Sequence, residues 1–187
     1  MSLRLAAGDL LAAHPGLEDP NFGRTVLLIC EHSAAGAFGL IVNRPTNVTV
    51  DQLLPDHPVL GGLQFPVLLG GPVDHERLHF VHSVPGRIRG GSELRPGLWI
   101  GGDVDELGRY LLEQRRAGAG VDVRLFVGYA GWDDGQLDAE LETGSWIPAI
   151  GRDEWIYGAP EQDVWEAVVS AAFEASDDVP PAPHEAN

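Results

Sequence analysis

The chain has 187 residues, 28 acidic and 12 basic side chains and a formal net charge of −16, and 44% of its residues are apolar; it is long enough for one cored domain with or without a tail, and too apolar for a disordered chain. Every basic residue is Arg, which excludes a P-loop lysine, a Schiff-base lysine, a pyridoxal-phosphate anchor and a Ser-Lys pair. The single Cys, Cys30, excludes an internal disulfide and a Cys-based zinc site, and the negative charge argues against a face that tracks phosphates on nucleic acid.

The first residues lack the apolar stretch of a signal peptide, and no run approaches the ~18 apolar residues of a membrane span. The expectation is a cytoplasmic protein with no membrane association. Residues 9–13 read as a short strand. Residues 25–31 (TVLLICE) and 37–43 (AFGLIVN) are nearly continuous apolar runs, so strands buried on both faces, and the short link 33–36 makes them an antiparallel hairpin. Thr49 and Gln52 form a capping-box pattern for a short helix that Pro55 ends. Strands follow at 67–69, 78–84 and 98–100, punctuated by Gly-Gly pairs at 61–62, 70–71, 90–91 and 101–102.

Asp103 with Glu106 opens a helix whose apolar positions 104, 107, 111 and 112 keep helical spacing. Arg115 and Arg116 suit its last turn, and Gly118 ends it. Residues 121–130 form the longest strand, and 136–142 a short helix closed by Gly144. Strands are expected at 146–150 and 155–157. Pro160 then opens a last helix to about 175, with Val164, Trp165, Val168, Ala172 and Phe173 buried. The pattern predicts an α/β chain of mixed α+β character: a single domain over residues 1–176 with a central mixed sheet and flanking helices. The acidic, Pro-rich segment 177–187 is expected to be a disordered tail.

Few residues offer chemistry. Regular strand alternation puts Cys30 and His32 on one face, where a thiolate–imidazole pair is conceivable, but their Cα atoms would stand about 6.6 Å apart. His75, His79 and His82 invite a metal reading, yet on a strand His79 and His82 face opposite sides, so the expectation is no metal and a partly exposed edge strand. Neither a G-x-S-x-G elbow nor a G-x-G-x-x-G loop is present. The stretch 128–141, GYAGWDDGQLDAEL, follows the longest strand. It reads either as a groove walled by Tyr129 and Trp132 or as a packed corner with Trp132 and Trp146 closing the core and Glu140 exposed.

The ordered motifs 19–26 (DPNFGRTV), Glu31-His32, 36–40 (GAFGL), Asn43-Arg44-Pro45, 70–73 (GGPV), 128–141 and Ser145-Trp146 together resemble the YqgE/AlgH family of bacterial proteins over residues 8–175. The resemblance implies a mixed α/β domain with helices flanking a central sheet. Some members are described as transcriptional regulators, but it implies no reaction, cofactor or substrate. The residues themselves explain most motifs through backbone geometry: Asp19 before Pro20 caps a turn, and the glycines permit turns or close strand approach. Arg24, Arg44 and Glu31 flank apolar runs and are expected to be semi-buried and paired. The expectation is a non-catalytic binding or regulatory module that contacts a protein or small molecule and does not touch DNA. Its pocket candidates are Cys30, His32, Asn43, Arg44, Tyr129 and Trp132. The alternative is a thiol-dependent enzyme or sensor using Cys30.

Overall fold

The structure is a computed structural model that describes residues 4–158 and 163–175. Strands β1 (Leu10–Ala13), β2 (Val26–Ser33) and β3 (Gly36–Ile41) come first, then β4 (Pro45–Thr49), α1 (Val50–Leu53) and a 3₁₀ turn at Leu60–Gly62. β5 (Pro66–Leu69), β6 (Val73–His82), β7 (Ser92–Arg95) and β8 (Leu98–Ile100) precede α2 (Val104–Ala117). β9 (Val123–Trp132), α3 (Gln136–Glu142), β10 (Trp146–Ala149), α4 (Asp153–Tyr157) and α5 (Val164–Ala175) complete the described chain. The main path through the sheet runs β10-β1-β2-β3-β9-β6-β8-β7, and β5, with β4 beside it, joins through β9. Every pairing is antiparallel except β5 with β9, so the domain is mixed α+β.

Helix ends form where the side chains satisfy free backbone groups. Asp103 accepts a 2.9 Å hydrogen bond from the Glu106 amide, and Gly118 closes α2 in the left-handed conformation. Thr49 and Gln52 make the capping box at α1. α4 and α5 lie over one face of the sheet, burying Leu10, Leu28, Leu40, Phe126 and Trp165. On the other face, α3 closes over Leu27, Ile29, Trp132 and Trp146. α1 and α2 close over Val67, Phe80, Leu107 and Leu125.

β9 spans both halves. One of its edges pairs with β5 through Leu125–Val127 and then with β3 through Ala130–Trp132. Gly70 makes the transfer: its N–H donates to Val127 O and its C=O accepts from Ile41 N–H, both at 2.8 Å. At this crossing the backbones approach too closely for side chains. A Cβ on Gly70 would stand 2.3 Å from Gly128 O, and one on Gly71 2.1 Å from the Tyr129 carbonyl carbon. Gly128 itself has φ 72° and resets the alternation of β9. Leu125 and Val127 face the α2 side, Tyr129 faces the α5 side with Phe126, and Ala130 and Trp132 face α3.

Several expectations need correction. Residues 155–157 belong to helix α4, not a strand: Asp153 and Glu154 occupy a helical first turn, and three consecutive apolar residues are too few to fix a period. Phe173 is exposed and Val169 is buried instead, because Phe173 lies about 100° around α5 from the centre of the stripe that starts at Val164 and Trp165. β6 starts at Val73 and is no simple edge strand, since its end pairs with both β8 and β9 and His82 is fully buried. The expected helix start at Pro160 and the tail lie outside the described residues. β4 and β7 were not legible: one begins with Pro45 and the other is the mostly polar Ser-Glu-Leu-Arg.

The crossing predicts a sharp contrast between two glycines. Gly71→Ala should lose about 3 kcal/mol or more in urea unfolding, since its methyl group meets backbone that cannot yield. Gly62→Ala, with open space around it, should stay within about 1 kcal/mol of the parent. Equal effects would show that the close approach is not a constraint.

Candidate functional site

The motif residues near the start of β2 form a turn clamp. Asp19 accepts hydrogen bonds from the Asn21 and Phe22 amides at 2.8 and 3.0 Å. Asn43 then grips the far side, accepting from Val26 N–H and donating to Arg24 O, both at 2.9 Å. The Arg44 guanidinium donates to Gly23 O. Arg24 stands with φ 56°, pairs with Asp163 at 3.0 Å and lies 4.2 Å from the centre of the Trp165 ring. Asn43 and Arg44 therefore spend their polar groups on the backbone they hold. Of the three charges expected to be paired and semi-buried, Arg24 is paired but exposed, Arg44 is half-buried, and Glu31 is exposed.

Cys30 and His32 do not share a face. The β2–β3 register shifts between Ile29 and Glu31, and this bulge inserts a residue that reverses the alternation beyond it. Cys30 packs in the cluster beneath α4 and α5, where its thiol donates to Leu28 O at 3.7 Å. His32 turns to the α3 side, with Nε2 2.9 Å from Asp138 Oδ1 and Nδ1 3.3 Å from Leu5 O. Burial pushes the Cys30 thiol far above its ordinary range, the opposite of what a thiolate nucleophile requires.

Trp132 joins His32 on the α3 side. Its indole N–H and that of Trp146 both donate to Glu140 Oε2, at 2.9 and 2.8 Å, and the Gln136 amide donates to Oε1 at 3.0 Å. The two indoles meet edge to face at 6.2 Å. Glu140, which the packed-corner reading left exposed, is half-buried and clasps both rings. This stretch is thus a packed corner at Trp132.

Tyr129, three residues before Trp132, is on the other side of the sheet. It packs with Phe38 and His79, ring centres 5.2 and 5.8 Å distant, and Phe38 and His79 stand 5.3 Å apart. All three are half-buried. His79 Nε2 is buried and has no hydrogen-bond partner among the described residues. Burial, and then Arg77, pushes this imidazole below the ordinary histidine value, so the neutral ring holds one unused polar nitrogen between two aromatic neighbours. His82, on the opposite face of β6, is instead fully satisfied: Nε2–H donates to Gly101 O at 3.0 Å and Nδ1 accepts from Val84 N–H at 3.2 Å. The sequence offered Tyr129, but not Phe38 or His79 as its companions, because only the strand pairing brings them together.

A ten-stranded mixed sheet whose motif residues tie turns and strand crossings defines an AlgH-like domain. The chain belongs to the AlgH-like family, whose model matches residues 10–174. A UPF0301 protein of Chlorobium luteolum is 40% identical over 170 residues, covering 89% of this chain and 85% of that protein. One of Chlorobaculum tepidum is 39% identical over 165 residues, covering 88% and 86%. Among solved structures, a crystal structure of a Corynebacterium diphtheriae protein matches with TM-score 0.72 and 28% identity over 90% of this chain and 87% of that one. The solution structure of the AlgH protein from Pseudomonas aeruginosa matches with TM-score 0.69 and 27% identity over 97% and 98%. No helix among the described residues is long and apolar enough to cross a membrane.

The thiol gives a direct check. Native Cys30 should resist iodoacetamide at and below about pH 8.5 and label readily once the chain is unfolded in urea. Native labelling with a midpoint below that pH would contradict the buried, protonated thiol.

Proposed function

We propose that this chain is a non-catalytic binding or regulatory module, and that its contact surface is the half-buried ring cluster of Phe38, His79 and Tyr129. The observation that carries this reading is the unpartnered Nε2 of His79. A buried polar atom without a partner costs about 1–3 kcal/mol, and a bound group that supplied the missing hydrogen bond would recover part of that. Tyr129 adds a rigid amphipathic ring of the kind that concentrates binding energy at interfaces. The other pocket candidates take supporting roles: Asn43 and Arg44 hold the turn before β2, Trp132 seals the corner under α3, and Cys30 and His32 fix the two faces of the bulged strand. The charge of −16 favours a protein or small-molecule partner over direct contact with DNA. A regulatory effect on transcription would then pass through that partner.

The test uses the full chain and its Tyr129→Ala variant, first matched for cooperative urea unfolding. Aromatic-region NMR spectra recorded against metabolite pools and against cell extract should show saturable shifts at Phe38, His79 and Tyr129 that weaken at least about tenfold in the variant. Chemical turnover of a metabolite by both proteins, with no shift at those rings, would overturn the reading.

A further inference from the structure

On the opposite face of the sheet, α2 and the segment before β5 leave a groove of about 360 Å³. Leu63, Phe65, Leu111 and Val121 supply apolar lining, while Gln64 and Arg115 add polar groups. Most of the chain's arginines are committed elsewhere. Arg24, Arg87, Arg89, Arg95 and Arg152 are ion-paired, and Arg44 and Arg124 donate to backbone carbonyls. Arg115, like Arg4, Arg77, Arg109 and Arg116, has no such partner among the described residues; of these five it is the one that lines the groove, exposed at the last turn of α2.

A free guanidinium beside an apolar lining matches one kind of ligand. The fork of N–H donors fits a carboxylate, and the leucines, phenylalanine and valine fit a hydrocarbon body. Two further constraints narrow it. The volume is at the lower end of small-molecule sites, which limits the tail. A net charge of −16 repels polyanions at long range more than a monoanion, so a ligand with a single negative charge suits one exposed arginine best. We propose that this groove binds a small monocarboxylate with an apolar tail, its carboxylate on Arg115 and its tail along Leu63, Phe65, Leu111 and Val121. The site is independent of the Phe38–His79–Tyr129 surface, which lies across the sheet.

The experiment titrates octanoate, and separately 1-octanol, into the full-length chain and follows backbone amide shifts. Octanoate should give saturable shifts centred on residues 63–65, 111–115 and 119–121, at an affinity at least about tenfold above that of the alcohol. Arg115→Gln, an exposed change that leaves the core intact, should erase the difference and leave the alcohol unaffected. Equal affinity for acid and alcohol, shifts centred elsewhere, no saturable binding, or an unchanged octanoate affinity in Arg115→Gln would each overturn the proposal.

Discussion

The architecture depends on how β9 changes partner along one edge. It pairs with β5 in parallel and, a few residues on, with β3 in antiparallel sense. Neither neighbour is long enough to serve the whole strand, so two separately built halves of the sheet must meet at a point. Gly70 is that point, bonded at once to Val127 and to Ile41. The halves close because Gly70, Gly71 and Gly128 let backbones touch where any side chain would collide. The close approach is a hard constraint, since displaced carbonyls there would lose their ladder partners in a buried place.

This constraint also decides what the surface offers. The left-handed turn at Gly128 takes Tyr129 off the face of Val127, where regular alternation would keep it, and puts it on the face of Phe126; Trp132, three residues further on, faces the other way by ordinary alternation. The bulge in β2 likewise takes His32 off the face of Cys30. The bulge thereby breaks up the Cys30–His32 pair that a chemical reading of the sequence would assemble, and the reset at Gly128 moves Tyr129 to the face of Phe38. What they bring together instead is Phe38, His79 and Tyr129, three residues from three different strands. Several polar motif residues elsewhere are occupied: Asn43 and Arg44 with the Arg24 turn, Glu140 with two indoles.

Much of the fold was legible because local rules agreed with the final structure. The buried runs of β2 and β3, the capped helix α2 and the long strand β9 each carry their own periodicity and end signals. The class of fold followed from their order. What was not legible were elements stabilised mainly by neighbours, such as β4 and β7, and the short α4, whose run of three apolar residues fits a helix or a strand equally well. The site was less legible than the fold for a related reason. Strand alternation is a good guide to facing only until a bulge intervenes, and no single residue near Ile29 or Glu31 announces one. His79 was visible as a histidine on a strand, but its lack of a partner is a property of the packed surroundings, not of the spacing.

Exchange of backbone amide hydrogens with deuterium in the native state tests the central role of the strand crossing most directly. If the two halves of the sheet are held by the Gly70 junction, the amides of Gly70 and Ile41 exchange only through global unfolding, with protection equal to that of the β2 core amides and the same dependence on urea. Exchange of those two amides by a local opening, markedly faster than the core of β2 and insensitive to urea, would contradict the account.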